Sequence, residues 1–284
     1  YIDQVQVTGN GRPGFTTGEN LNVSYYGPVV QQWAVQNGGW ERVKKLDVGF
    51  DMELFRELSI TFDFFYDKRY NILLHREAWP QSLGFHEAKP WSNKGKVDNW
   101  GYEVSTNWRK QFTKDLTVDF RGTFTYTQNK YRDVDEPIYP YVWQTATGKP
   151  LNRRNGYIAE GLFQSQEEID NSPTQNLGSK PMPGDIKYRD VDGNGVIDSK
   201  DQVMISKTAN MPRIQYGFGV NIDWKRFNFG VFFNGSAMRD ININGLHPFG
   251  QNDYNAMKFV AENRWTEANP NPNAEYPRLG LNDS

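Results

Sequence analysis

Leu46-Asp-Val-Gly-Phe-Asp-Met52 and Leu58-Ser-Ile-Thr-Phe-Asp-Phe-Phe-Tyr66 are the two arms whose reading decides the fold. In the first, Leu46, Val48, Phe50 and Met52 fall on one face and Asp47, Gly49 and Asp51 on the other. In the second, Leu58, Ile60, Phe62, Phe64 and Tyr66 oppose Ser59, Thr61, Asp63 and Asp67. A period of two is the signature of a strand, and the short link Glu53–Glu57 makes the pair an antiparallel hairpin. Two architectures share this pattern. In a soluble sandwich the apolar face meets a core and the polar face meets bulk water. In an outer-membrane barrel the apolar face meets lipid and the polar face a wet lumen.

Working outward, two more hairpins repeat the pattern. Tyr102, Val104, Thr106 and Trp108 oppose Glu103, Ser105 and Asn107. After a link at Arg109–Asp115, Leu116, Val118, Phe120, Phe124 and Tyr126 oppose Thr117, Asp119, Arg121, Thr123 and Thr125. Tyr216, Phe218, Val220, Ile222 and Trp224 then turn at Lys225-Arg226 into Phe227, Phe229, Val231 and Phe233. Short strands are expected in Ile2–Val7 and Leu21–Tyr25, and a helix near Tyr254–Trp265. The segments from Lys68 to Trp100 and from Thr127 to Met211 read as long polar loops. Loops of more than ~15 residues are uncommon in a compact soluble domain, whereas outer-membrane barrels alternate short periplasmic turns with long extracellular loops.

The aromatics, 15% of the chain, point the same way. With the short turns periplasmic, Trp108 and Trp224 lie near the inner membrane surface and Tyr66, Tyr102, Tyr126 and Tyr216 near the outer one. Tyr216 to Trp224 rises roughly 20 Å at a strand tilt near 40°, close to the ~25 Å apolar band of such barrels. Asp47, Asp51, Asp63, Glu103, Asp119, Arg121 and Asp223 sit mid-strand; in lipid the Arg would cost ~2–4 kcal/mol and each carboxylate somewhat less, but in a wet interior all cost little. The fold expected is therefore all-β: an antiparallel up-and-down transmembrane β-barrel with long extracellular loops, while the solvated outer face of a sandwich would show the same alternation.

Composition bounds the rest. A chain of 284 residues carries one large β domain or two ordinary ones, and its net charge of -2 implies no bulk attraction to nucleic acid. The absence of cysteine excludes a disulfide framework and a Cys-based metal site. No apolar run approaches the ~20 residues of a spanning helix. No export signal is visible at Tyr1, so an exported protein would have had its start trimmed. His75, His86 and His247 are isolated, and no nucleophile elbow or phosphate loop is present, so no enzyme activity is expected.

One stretch carries ligand chemistry. Asp190-Val-Asp-Gly-Asn-Gly-Val-Ile-Asp-Ser-Lys-Asp201 has the spacing of an EF-hand calcium loop. Its oxygen donors would be Asp190, Asp192, Asn194, the Val196 carbonyl, Asp198 and Asp201, with Gly195 at the sharp turn and Ile197 anchoring the loop. Ca²⁺ would be a structural staple, not a reagent. Asp201 stands where an EF-hand has Glu, and the preceding Gly184–Tyr188 reads as extended rather than helical. An Asx-rich turn without an ion has the same composition.

The run Gly184-Asp-Ile-Lys-Tyr-Arg-Asp-Val-Asp-Gly-Asn-Gly-Val-Ile-Asp198 resembles a long-loop segment of the SusC/RagA group of TonB-dependent outer-membrane transporters. Pro212–Gly219, Asn93–Glu103, Arg264-Trp-Thr266 and Tyr276-Pro-Arg-Leu279 resemble other parts of that group, and the likeness covers roughly Trp40 to Leu281. It implies active import of a glycan, oligosaccharide or peptide across the outer membrane of a Gram-negative bacterium. A TonB complex would supply energy, acting through an N-terminal region not present here, and a SusD-like surface lipoprotein would cap the barrel. About six strands are visible against 22 in a full plugged barrel, so residues 1–284 are expected to be the C-terminal portion of a larger barrel, with 127–211 an extracellular loop holding the calcium loop at 190–201. Loop aromatics Trp79, Trp91, Tyr139, Tyr141 and Trp143 are candidates for substrate contact, and equally for packing the loops or meeting the lipoprotein. The alternative is a secreted, calcium-stapled β-sandwich that binds carbohydrate.

Overall fold

The computed structural model describes residues 4–6, 15–20, 22–25, 29–33, 35, 38–78, 89–208, 211–241 and 257–279. The chain divides into two compact units: residues 1–139, 145–151 and 213–237, and residues 140–144, 152–212 and 238–284.

The first unit is built on a six-stranded antiparallel sheet of β1 (Arg42–Leu54), β2 (Leu58–His75), β3 (Trp91–Thr113), β4 (Leu116–Asp133), β5 (Ile214–Trp224) and β6 (Phe227–Ala237). Each strand pairs with its neighbour in chain order, the up-and-down meander expected from short hairpin links, and the sheet is open rather than closed into a barrel. Register carries the sequence alternation across the whole sheet. Phe50, Phe62, Val104, Phe124 and Tyr216 lie in one row, and Gly49, Asp63, Glu103, Thr125 and Gln215 in the adjacent row on the opposite face.

The apolar face settles the choice of architecture. Val48, Phe50, Phe233 and Phe229 are 56%, 54%, 54% and 64% exposed, and Leu46, Phe218, Trp224 and Phe227 are exposed beside them. The buried apolar side chains among the described residues are Val97, Phe163, Ile197, Val260 and Trp265, and none belongs to this face. Burying one such side chain contributes ~1.5–3 kcal/mol, so these eight, about half exposed, would forgo roughly 6–12 kcal/mol facing water, comparable to a domain's whole stability. Among the described residues the face stays exposed, where a sandwich would have it buried. Cross-strand ring contacts, such as Phe50–Phe62 at 5.5 Å and Phe218–Phe233 at 5.2 Å, order the face laterally. Among the described residues no helix is long and apolar enough to cross a membrane; a β-barrel crosses with strands.

The strands run further than their hydrophobic alternation. β2 continues through the polar residues after Tyr66 to His75, β3 begins at Trp91, and β4 reaches Asp133, so the polar segments expected as loops from Lys68 and from Thr127 begin as paired strand. Register shifts between Arg69 and Leu74, with Asn71 at φ 59°, interrupt the period of two and hide this extension. The link after Trp108 is shorter than expected, since β3 runs to Thr113 through another register shift.

The second unit is made of short pairings: Arg154–Gly156 with Val203–Ser206, Ala159–Leu162 with Ile186–Tyr188, and Thr174–Gln175 with Val196–Ile197. Its core is Phe163, Ile197, Val260 and Trp265. The helix expected near Tyr254–Trp265 is a short one, Lys258–Glu262. Gly184, at φ 91°, lies against the Trp265 indole, where a Cβ would come within 2.2 Å of the ring. The Arg278 guanidinium bonds Asp185 at 2.6 Å, and the Arg278 N–H donates to the Gly184 carbonyl at 2.9 Å. The Gly-Asp pair that opens the long-loop motif is thus the seat of the Trp265 and Arg278 motifs.

Candidate functional site

Two places hold chemistry. The first is the acidic loop of the second unit. Gly193 and Gly195, at φ 73° and 82°, let the backbone turn its N–H groups onto Asp190, whose carboxylate accepts from both at 2.7 Å. Those donors, Gly195 foremost, hold the Asp190 carboxyl below the usual carboxylate range. Asp201 is fully buried and accepts from the backbone N–H groups of Val191 at 2.8 Å, Asp192 at 3.3 Å and Asp198 at 2.8 Å. Ile197, 1% exposed, anchors the loop.

The carboxylates of Asp190, Asp192 and Asp201 converge within 4.8 Å of one another. The other three expected donors are engaged differently. Asn194 Oδ1 accepts from the Val196 N–H at 2.7 Å. Val196 pairs with Thr174. Asp198 caps the turn Ser199–Asp201 through the Lys200 N–H and stands 3.4 Å from the Lys200 ammonium. Three convergent carboxylates with no nitrogen or sulfur donor suit a hard divalent cation, so this donor set fits calcium.

Sequence reasoning missed what this loop carries. The Tyr141 hydroxyl donates to Asp192, which raises its pKa, and the Trp143 indole N–H donates to the Lys200 carbonyl at 2.7 Å. The two rings stack at 4.5 Å and 8°. Of the other loop aromatics, Trp91 packs on His75 at 3.7 Å and Tyr139 is exposed. Trp79, His86 and His247 lie outside the described residues.

The second place is a concavity of about 360 Å³ lined by Ser59, Thr61, Ser105, Asn107, Arg121 and Phe232 among others. Phe232 lies over Gly217 and Gly219, where a Cβ would come within 2.9 and 2.7 Å of its ring. The Arg121 guanidinium sits 4.8 Å from the ring centroid. The doubled Phe232-Phe233 breaks the alternation, and register from the Lys225-Arg226 turn places Phe232 opposite Gly219. A phenylalanine on the polar face opposite a glycine was the signal available in the sequence.

No family model matches the chain. It is 28% identical over 268 residues to the TonB-dependent receptor P3 of Formosa agariphila, covering 89% of this chain and 26% of that protein. It is 25% identical to the TonB-dependent receptor SusC of Bacteroides thetaiotaomicron, covering 75% of this chain and 21% of that protein. The chain thus spans about a quarter of the length of the curated relatives it matches. Among solved structures it is similar to the RagAB peptide transporter, with a TM-score of 0.61 at 18% identity over 98% of this chain and 29% of that one. An open-open state of the RagAB peptide importer gives 0.62 at 16% identity, with the same coverage of both chains. Sequence and fold agree: the chain is SusC-like, similar over most of its length to part of a TonB-dependent transporter of the Gram-negative outer membrane.

Proposed function

We propose that this chain forms part of the wall of a transporter that imports a nutrient, an oligosaccharide or a peptide, across the outer membrane. Energy comes from a TonB complex, and a SusD-like surface lipoprotein closes the outer mouth. One observation carries the reading: the sheet exposes a continuous apolar face and backs it with hydroxyl, amide and carboxylate side chains, the arrangement of a wall between lipid and a wet lumen. Phe232 with Arg121, and the Tyr141–Trp143 stack, offer ring faces and hydrogen-bond donors suited to sugar rings or peptide backbone. The test deletes the whole gene, and separately the TonB gene, and measures uptake of labelled oligosaccharides and peptides. Loss of the same substrate class in both strains supports the reading. Unchanged uptake of both classes, or a purified protein that stays dispersed without detergent, overturns it.

We also propose that Asp190, Asp192 and Asp201 hold a structural Ca²⁺. The cation would offset the repulsion of three close carboxylates and fix the loop that carries Tyr141 and Trp143. Calcium titration of the purified protein should raise its melting temperature, and the chelator EDTA should reverse the gain. Equal melting with and without calcium in the wild type and in D192N would show the loop's own hydrogen bonds to be sufficient.

A further inference from the structure

Beyond the aromatic band, the lipid-facing side of the sheet changes character. Leu46, Tyr66, Trp100 and Gln128 form one row; the next outward-facing row, toward the long connections, is Lys44, Lys68, Asp98 and Lys130. Lys44 and Lys68 stand directly opposite each other, an arrangement that is destabilising without a counter-charge. The carboxylate in that row, Asp98, is 4% exposed and already committed. It accepts from the Tyr66 hydroxyl at 2.9 Å and is ion-paired to Arg132. None of the three lysines has an acidic partner among the described residues. Lys68 and Lys44 instead lie over the rings of Tyr66 and Tyr70, at 5.5 and 5.9 Å. The surface therefore presents uncompensated ammonium groups beside the tyrosine and tryptophan rings that mark a membrane interface.

We propose that this row, Lys44, Lys68 and Lys130 with Arg132 at its margin, binds the phosphorylated headgroup of a lipid in the leaflet on the long-loop side. The inference rests on the membrane reading above. The geometry suits that ligand. Apolar side chains one row below face acyl chains, and the lysyl stems carry their charge up to the phosphate plane. The row runs across the strands, so at a tilt near 40° it climbs about 9 Å from Lys44 to Lys130, a span that headgroup phosphates at slightly different depths can follow.

The whole transporter, purified in mild detergent, is titrated with diphosphoryl lipid A, zwitterionic phosphatidylcholine or inorganic phosphate, and bound lipid is read by native mass spectrometry. The wild type should retain lipid A in preference to phosphatidylcholine. K44Q/K68Q/K130Q should weaken that binding roughly a hundredfold, and K68Q alone roughly fivefold, at about a kcal/mol per cation. K114Q, at the short-turn end of β3, should leave it unchanged. If the triple variant does not assemble, K68Q carries the test. Equal lipid A affinity in wild type and variants overturns the proposal, as does equal retention of phosphatidylcholine. Displacement of lipid A by inorganic phosphate at matching concentration would mark a free-phosphate site and overturn it too. A protein that needs no detergent would instead sink the membrane reading, a different and separately visible failure.

Discussion

The two units of this chain handle apolar residues in opposite ways. In the six-stranded sheet Phe50, Phe229 and Phe233 are more than half exposed. In the other unit Phe163, Ile197 and Val260 are each 1% exposed and Trp265 6%. Hydrophobic side chains of the same kinds thus serve two solvents. One unit excludes water with a small closed core; in the barrel wall proposed above, hydrocarbon covers the apolar face of the other. Buried apolar residues show where a domain folds on itself; exposed ones in continuous rows show what surrounds it.

The largest test of this contrast is truncation in each unit. Trp265→Ala should destabilise the second unit by about 3–5 kcal/mol, read by hydrogen exchange at Phe163 and Ile197. Phe229→Ala, with its ring in lipid, leaves no cavity and should cost only the lost transfer to hydrocarbon, about 1–2 kcal/mol. Equal costs would mean that the sheet face is packed after all. Next comes charge. Val104→Arg, in the middle of the apolar rows, should cost about 2–4 kcal/mol of membrane stability, while Ser105→Arg, one residue on and facing the other way, should assemble normally. Heat-modifiable gel mobility of the whole protein separates the two. Loss of assembly by both variants would remove the inside-outside distinction.

Smaller effects lie within the second unit. Asp201→Ala strands the backbone N–H groups of Val191, Asp192 and Asp198 and should cost about 1–3 kcal/mol, visible as a lower melting temperature without calcium. The smallest is a pH effect. The Gln164 backbone N–H, at 2.8 Å, and then the Lys187 ammonium hold the Glu168 carboxyl below its ordinary value. A depressed carboxyl stabilises fully above its unfolded pKa near 4.3 and loses that contribution as pH falls through the folded value. Acid melting of the wild type should therefore steepen below about pH 4.3, and Glu168→Gln should flatten it. An identical acid profile in the variant would remove Glu168 as the cause.

Much of the sheet was legible because a strand with one apolar face writes its orientation into every second residue. Tyr216–Trp224 and Phe227–Phe233 paired as their turn required, and the apolar and polar sets of β1 and β2 emerged on the expected faces. The extension of β2 past Tyr66 was not legible. Beyond the apolar band nothing selects the outward side chain, and the shifts around Asn71 break the period. In the acidic loop the spacing brought Asp190, Asp192 and Asp201 to one place, but spacing cannot say which oxygens are consumed locally. Asp198 is drawn to Lys200, and Asn194 to the Val196 N–H.

By itself, the sequence determined strand periodicity, hairpin order and the presence of an oxygen-rich turn, because all three depend on neighbours within a few residues. Only the tertiary structure decided that the apolar face stays uncovered, that Arg278 reaches back 93 residues to Asp185, and that Tyr141 meets Asp192. Those contacts join segments far apart in the chain. Their energies depend on which surfaces the fold removes from water, and no local pattern records that.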